Sequence, residues 1–125
     1  GTDDRSVLED RVGAVREFAV KYNVILVLKG ERVLIGDPSG HVVINPTGNS
    51  ALGKAGNGDN LTGVITGFLA QGAGRVNSID SVIAAVYVAG RAGDIARERF
   101  GERVMLASDV RDSLAAAFAE LETND

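Results

Sequence analysis

The chain has 125 residues, 45% of them apolar, and carries 17 acidic against 13 basic side chains for a formal charge of -4. That is enough aliphatic mass for one ordinary domain with a core, and it excludes a disordered tail. The negative charge disfavours nucleic acid and anionic membranes as partners, and the absence of cysteine with a single His41 removes disulfides, thiolate chemistry and imidazole metal sites.

No apolar stretch approaches the length of a bilayer span, and the N-terminus lacks a basic region leading into an apolar one. A soluble protein in a reducing, cytoplasmic setting is therefore expected.

Ser6-Val7-Leu8-Glu9 has the form of a capping box, and Leu8, Val12, Val15, Phe18 and Tyr22 recur at helical spacing, which predicts an amphipathic helix over about 6–22. Val24-Ile25-Leu26-Val27-Leu28 is a continuous apolar run without polar alternation, as in a strand covered on both faces within a parallel sheet. The runs Val33-Leu34-Ile35 and Val42-Val43-Ile44 flank Asp37-Pro38-Ser39-Gly40, a type I turn sequence, and predict a β-hairpin.

Residues 45–59 are rich in Asn, Thr, Ser and Gly and read as a loop. Leu61, Val64, Ile65, Phe68 and Leu69 form a helical stripe that stops at Gln71-Gly72-Ala73-Gly74. A second helix is expected from about Ser78 to Phe100, with Val82, Ile83, Val86 and Tyr87 inward. A third, capped by Ser108, would carry Val110, Leu114, Phe118 and Leu121.

No repeat, low-complexity tract or linker divides the chain. The order helix, buried strand, hairpin, glycine loop, helices is α/β. A strand covered on both faces needs neighbours, and the first helix reads as a crossover whose own preceding strand is absent, so the chain reads as starting mid-fold. A further segment or a partner subunit is expected to complete the sheet. The 125 residues alone are expected to be aggregation-prone or homo-oligomeric, and inactive.

Gly56-Asn57-Gly58-Asp59 closes a loop and opens a helix. Glycines let a backbone approach a ligand, and the amides at a helix N-terminus favour phosphate. A carboxylate at the edge of such a site, here Asp59, is placed to take a proton from an attacking hydroxyl. The same four residues are equally an N-cap and a chain reversal. Lys29-Gly30 ends the buried strand, where open α/β sheets place ligands. The polar stretch Asn45-Pro46-Thr47-Gly48-Asn49 adds amides and a hydroxyl, and by itself is an ordinary turn.

Taken together, Val27-Leu28-Lys29-Gly30, the Asp37–Gly40 turn, Ile44-Asn45-Pro46-Thr47-Gly48-Asn49, Gly56-Asn57-Gly58-Asp59 with Leu61-Thr62-Gly63, and Leu106-Ala107-Ser108-Asp109 resemble the C-terminal half of the NAD(P)H-hydrate dehydratases. Five ordered motifs cover essentially the whole chain. The resemblance implies the C-terminal portion of a ribokinase-like three-layer fold, with residues 1–125 as its nucleotide-binding part. It also implies repair of hydrated NADH or NADPH at the expense of ADP (or ATP), with Mg2+, completed by the N-terminal half of the domain.

Carried over by residue, the resemblance places Lys29, Gly30, Glu31, Arg32 and Val33 at the ADP, with Asn45, Thr47 and Asn49 lining the same cleft. Gly56, Asn57 and Gly58 would cradle phosphate, and Asp59 would act as base against the hydrated nicotinamide. Three positions depart from the family pattern: Val33 stands where Thr is usual, Asn57 where Ser or Thr is, and Asn60 where an aliphatic residue packs. The reaction implied is phosphoryl transfer to the hydrate's hydroxyl followed by loss of phosphate. A ribokinase-like small-molecule kinase and a non-catalytic nucleotide-binding fragment are the competing readings.

Overall fold

The computed structural model describes residues 4–30, 32–49, 57–101 and 106–123. These fall into two compact units, Gly1–Asn45 and Pro46–Asp125.

In the first unit one helix covers a small sheet. Helix α1 spans Asp4–Tyr22. It ends in a Schellman motif: Asn23 takes a positive φ of 54°, its amide donates to the Val20 carbonyl at 3.3 Å, and the Val24 amide donates to the Ala19 carbonyl at 3.0 Å. The start differs from the capping-box expectation. Ser6 lies inside the helix, and Glu9 faces Arg5 at 3.7 Å on the surface rather than folding back over the first turn.

Strands β1 (Leu26–Leu28), β2 (Leu34–Gly36) and β3 (Val42–Ile44) follow. They form a sheet in the order β1-β2-β3, antiparallel throughout, with Leu28 opposite Leu34 and Leu34 opposite Ile44. Among the described residues the first strand has β2 as its one neighbour, and the pairing is antiparallel. Its apolar run pairs with the hairpin, and β1 is half-buried whereas β2, the central strand, is fully buried.

The hairpin turn forms as expected. The Asp37 amide donates to the His41 carbonyl at 3.0 Å and the Gly40 amide to the Asp37 carbonyl at 3.1 Å, while Gly40 takes a φ of 97° that favours glycine. The Asp37 carboxylate accepts from the Ser39 amide at 2.7 Å and from the Ser39 hydroxyl.

The face of α1 toward the sheet is Val15 and Ala19, both buried, whereas Phe18 and Tyr22 stack on each other in the open, at 47% and 55% exposure. A larger apolar residue at helical spacing suggested the inward stripe, but the close approach of Gly36 to Val15 and Ala19 selects the smaller ones.

The second unit is helical. Helix α2 runs Asn57–Gly72 and α3 Ser78–Phe100, both as expected. The expected third helix is two. Helix α4 spans Ala107–Asp112 and α5 spans Leu114–Thr123, broken at the buried Ser113, whose hydroxyl donates to the Asp109 carbonyl at 2.9 Å. Nor is Ser108 the cap. It lies in the first turn of α4, behind Leu106, and the Asp109 carboxylate reaches back to the Leu106 amide at 2.8 Å.

Val88, Ala92, Ile95, Ala96, Val110 and Ala117 form the core of this unit, with Phe68 and Leu114 packed against it. Of the residues expected inward on α3, Val82 and Val86 are buried but Tyr87 is exposed. Phe118 is also half out, its ring 5.5 Å from that of Phe68. The side chain of Leu121 lies outside the described residues. Among the described residues no helix is long and apolar enough to cross a membrane.

Candidate functional site

In the first unit the sequence-predicted residues collect at one end of the sheet. Lys29 leaves the C-terminal end of β1, Val33 enters β2 beside it, and Asn45 leaves β3 with its amide donating to the Val33 carbonyl at 2.9 Å. The hairpin therefore does return its far end to the Lys29-Gly30 turn. Lys29, Gly30 and Arg32 are exposed, Val33 is half-buried, and Asn45 is buried at 3% exposure. Glu31 lies outside the described residues.

Arg11 of α1, which belongs to none of the motifs above, braces this turn. Its guanidinium donates to the carbonyls of Lys29 at 3.3 Å and Arg32 at 3.4 Å. A Cβ on Gly30 would lie 2.9 Å from the guanidinium carbon, so the glycine gives the arginine its seat. The signal was present: Arg11 stands four residues before Val15 and eight before Ala19, on the face that meets the sheet.

In the second unit α2 begins at Asn57, so Asn57 and Gly58 form the start of a 16-residue helix whose first-turn amides point out of its N-terminal end. Asp59 is in the same turn. The side chains of Asn57 and Asp59, and Gly56 altogether, lie outside the described residues. Asn60, which stands where the family pattern has a packed aliphatic residue, makes a polar tie. Its side-chain amide donates to the Ala107 carbonyl at 2.9 Å and ties the start of α2 to the start of α4.

Thr47, Gly48 and Asn49 are seated on α3. The Thr47 hydroxyl donates to the Tyr87 carbonyl at 2.8 Å, the Gly48 amide to Asp94 Oδ2 at 3.0 Å, and the Asn49 side-chain amide to Asp94 Oδ1 at 2.9 Å. Close approach is possible because residue 90 is glycine: a Cβ there would stand 2.8 Å from the Thr47 carbonyl carbon.

Behind Asp94, Arg91 lies 4.0 Å away and makes a two-pronged bond to Glu120 of α5 at 2.8 and 2.9 Å. That bond holds the Arg91 guanidinium above its ordinary range and the Glu120 carboxyl below its own. None of these three charges was singled out in the sequence. Asp94, set among the buried Ala92, Gly93, Ile95 and Ala96, was the visible sign, because a charge in such a run needs a partner.

Among the described residues no three His, Asp or Glu side chains gather as a metal cage.

The family model described as NAD(P)H-hydrate dehydratase matches residues 2–116. The bifunctional NAD(P)H-hydrate repair enzyme of Moorella thermoacetica is 40% identical over 122 residues, which are 98% of this chain and 22% of that protein. The ADP-dependent (S)-NAD(P)H-hydrate dehydratase of Bacillus subtilis is 31% identical over 98% of this chain and 43% of its own length.

A crystal structure of the ADP/ATP-dependent NAD(P)H-hydrate dehydratase of Bacillus subtilis, co-crystallised with ATP and Mg2+, superposes with a TM-score of 0.82 at 32% identity. The superposition covers 91% of this chain and 40% of that one. The chain thus spans less than half the length of these relatives and shares part of their α/β, ribokinase-like fold. With one family model matched from residue 2 to residue 116, the chain belongs to the NAD(P)H-hydrate dehydratase family.

Proposed function

We propose that this chain is the nucleotide-binding part of an ADP-dependent NAD(P)H-hydrate dehydratase, acting in the cytoplasm where reduced nicotinamides are used. The observation that carries the proposal is the family match from residue 2 to residue 116, which includes the helix N-terminus at Asn57-Gly58-Asp59. Two relatives, 31% and 36% identical to this chain, are described as ADP-dependent (S)-NAD(P)H-hydrate dehydratases, from Bacillus subtilis and Neisseria meningitidis.

In this reading Lys29, Gly30, Glu31, Arg32 and Val33 contact the ADP. Lys29 supplies charge to phosphate, and Arg11 fixes the course of the turn that presents it. Asn45, Thr47 and Asn49 contribute polar groups to nucleotide binding. The backbone of Gly56, Asn57 and Gly58 offers amides to the transferring phosphoryl group, stabilising the charge that develops on it.

Asp59 takes the proton of the hydrate's hydroxyl as its oxygen bonds to the terminal phosphorus of ADP, and the bond from that phosphorus to the AMP oxygen breaks. Elimination follows. The phosphate leaves with the carbon–oxygen bonding pair, a proton leaves the neighbouring carbon, and the ring double bond of the reduced nicotinamide is restored.

A magnesium ion is usually held by phosphate, water and only one or two carboxylates, and we propose that it arrives with the nucleotide. Its chemistry is charge neutralisation on the phosphates.

The test is an assay, with NADH hydrate and ADP, of these residues together with the N-terminal half of the domain that we propose completes them. Recovery of the absorbance of reduced nicotinamide, with one AMP formed per NADH, supports the reading. Nucleotide binding without recovery refutes it and favours a non-catalytic role. ADP consumption only when a stable alcohol is added favours a kinase.

A further inference from the structure

We propose that Asp94 is a positioning residue for nucleoside diphosphate binding, acting through the 46–49 loop that it holds against α3. The proposal rests on the nucleotide reading of Thr47 and Asn49 given above, and it adds residues outside the motifs that carry that reading.

Both oxygens of the Asp94 carboxylate are used on the loop. One accepts the Gly48 backbone amide at 3.0 Å and the other the Asn49 side-chain amide at 2.9 Å. A carboxylate that accepts one main-chain and one side-chain donor from consecutive residues fixes the peptide plane as well as the position of the loop. Gly48 takes a positive φ of 101°, so this conformation is one that few other residues would share.

The Thr47 hydroxyl bonds the Tyr87 carbonyl two turns earlier on the same helix face, and Gly90 lies between. Tyr87, Gly90 and Asp94 therefore make a ladder at spacings of three and four residues along α3, on which the loop is laid.

The carboxylate is itself held. Arg91 stands 4.0 Å from Asp94 and is locked to Glu120 through two hydrogen bonds, so its charge stays beside the carboxylate. The side chains of Asp94 and Arg91 are each 26% exposed, so both are shielded from most competing water.

The consequence for binding is preorganisation. A loop already in its bound course loses little conformational freedom when a nucleotide arrives, whereas a released loop must be ordered at the expense of affinity. Asn at position 94 matches the shape of Asp but offers one acceptor and a competing donor, so Asp94→Asn turns one of the two bonds into a donor–donor clash.

In the protein completed by the N-terminal half of the domain, Asp94→Asn is expected to raise the KM and the Kd for ADP about tenfold. The kcat at saturating ADP should stay within about threefold of the parent, because Asp59 is not on this loop. Amide exchange at Gly48 should accelerate. Arg91→Gln, which leaves the acceptors in place, should raise the KM about two- to fivefold and serves as the second variant if Asp94→Asn does not fold.

A folded Asp94→Asn protein that binds ADP as tightly as the parent overturns the proposal, as does an Arg91→Gln protein with an unchanged KM when it is the only folded variant. An equal loss of kcat and of melting temperature, with KM unchanged, also overturns it and leaves Asp94 a purely structural residue. A parent protein that binds no ADP refutes the nucleotide reading itself and the proposal with it.

Discussion

Replacing Gly90 by alanine sets two opposed effects against each other. Alanine in the middle of α3 should gain about 0.5–1 kcal/mol from helix propensity. The same methyl would stand 2.8 Å from the Thr47 carbonyl carbon and 2.9 Å from its Cβ, with the Thr47 hydroxyl closer still.

Two of those three contacts are with parts of Thr47 that cannot swing aside. Either the loop lifts off and breaks the Thr47–Tyr87 bond together with both bonds to Asp94, or the helix and loop separate by a few tenths of an ångström. The first route costs about 1 kcal/mol for the neutral bond and 1.5–3 for each bond to the carboxylate. The second falls in the overpacking range of about 1–3 kcal/mol, and the protein takes the cheaper one.

After the helix gain, the expected net loss is about 1–2 kcal/mol, or roughly 3–8 °C in melting temperature. Gly67→Ala is the internal reference, since nothing lies within 4 Å of a Cβ built there and only the helix gain remains. Thermal unfolding of both variants in the full chain is the assay. A Gly90→Ala protein that melts as high as Gly67→Ala would refute the seating of the loop on α3.

Two further outcomes follow from single groups. Lys29 is exposed at the end of β1, so Lys29→Met should weaken ADP binding by calorimetry while the ligand-free melting temperature stays within about 2 °C; a large stability loss with unchanged affinity would make Lys29 structural. Glu120 is held below its ordinary 4.5 by the hydrogen bond from Arg91, so its contribution is present above about pH 4.5 and is lost as pH falls through the lower folded value. Glu120→Gln should therefore melt below the parent near neutrality and converge with it in acid. A gap that stays constant on acidification would contradict the pairing.

The fold was legible where local chemistry decides it. The lengths of α2 and α3 follow from apolar periodicity and glycine stops, and the hairpin from Asp37-Pro38-Ser39-Gly40. The neighbours of β1 were not legible, because an apolar run of five residues is the same in an antiparallel sheet under a helix as in a parallel one.

The inward face of α1 was misjudged toward Phe18 and Tyr22 because size outweighed fit. Ala19 and Val15 pack where Gly36 leaves room for nothing larger. At the site, the glycines and polar residues announced themselves by composition. The residues that hold them did not, since Arg11 and Asp94 act across 18 and 46 positions of sequence through bonds that no local pattern encodes.

The central claim is that Asp59 is the base of a dehydratase. The most direct measurement is the single-turnover rate of NADH hydrate repair by the full-length Asp59→Asn protein at saturating ADP, with ADP affinity determined on the same sample. Asn preserves the capping group and removes the base, so the rate should fall by about two orders of magnitude or more while ADP binds within about threefold of the parent. An Asp59→Asn protein that repairs the hydrate at close to the parent rate would contradict the account.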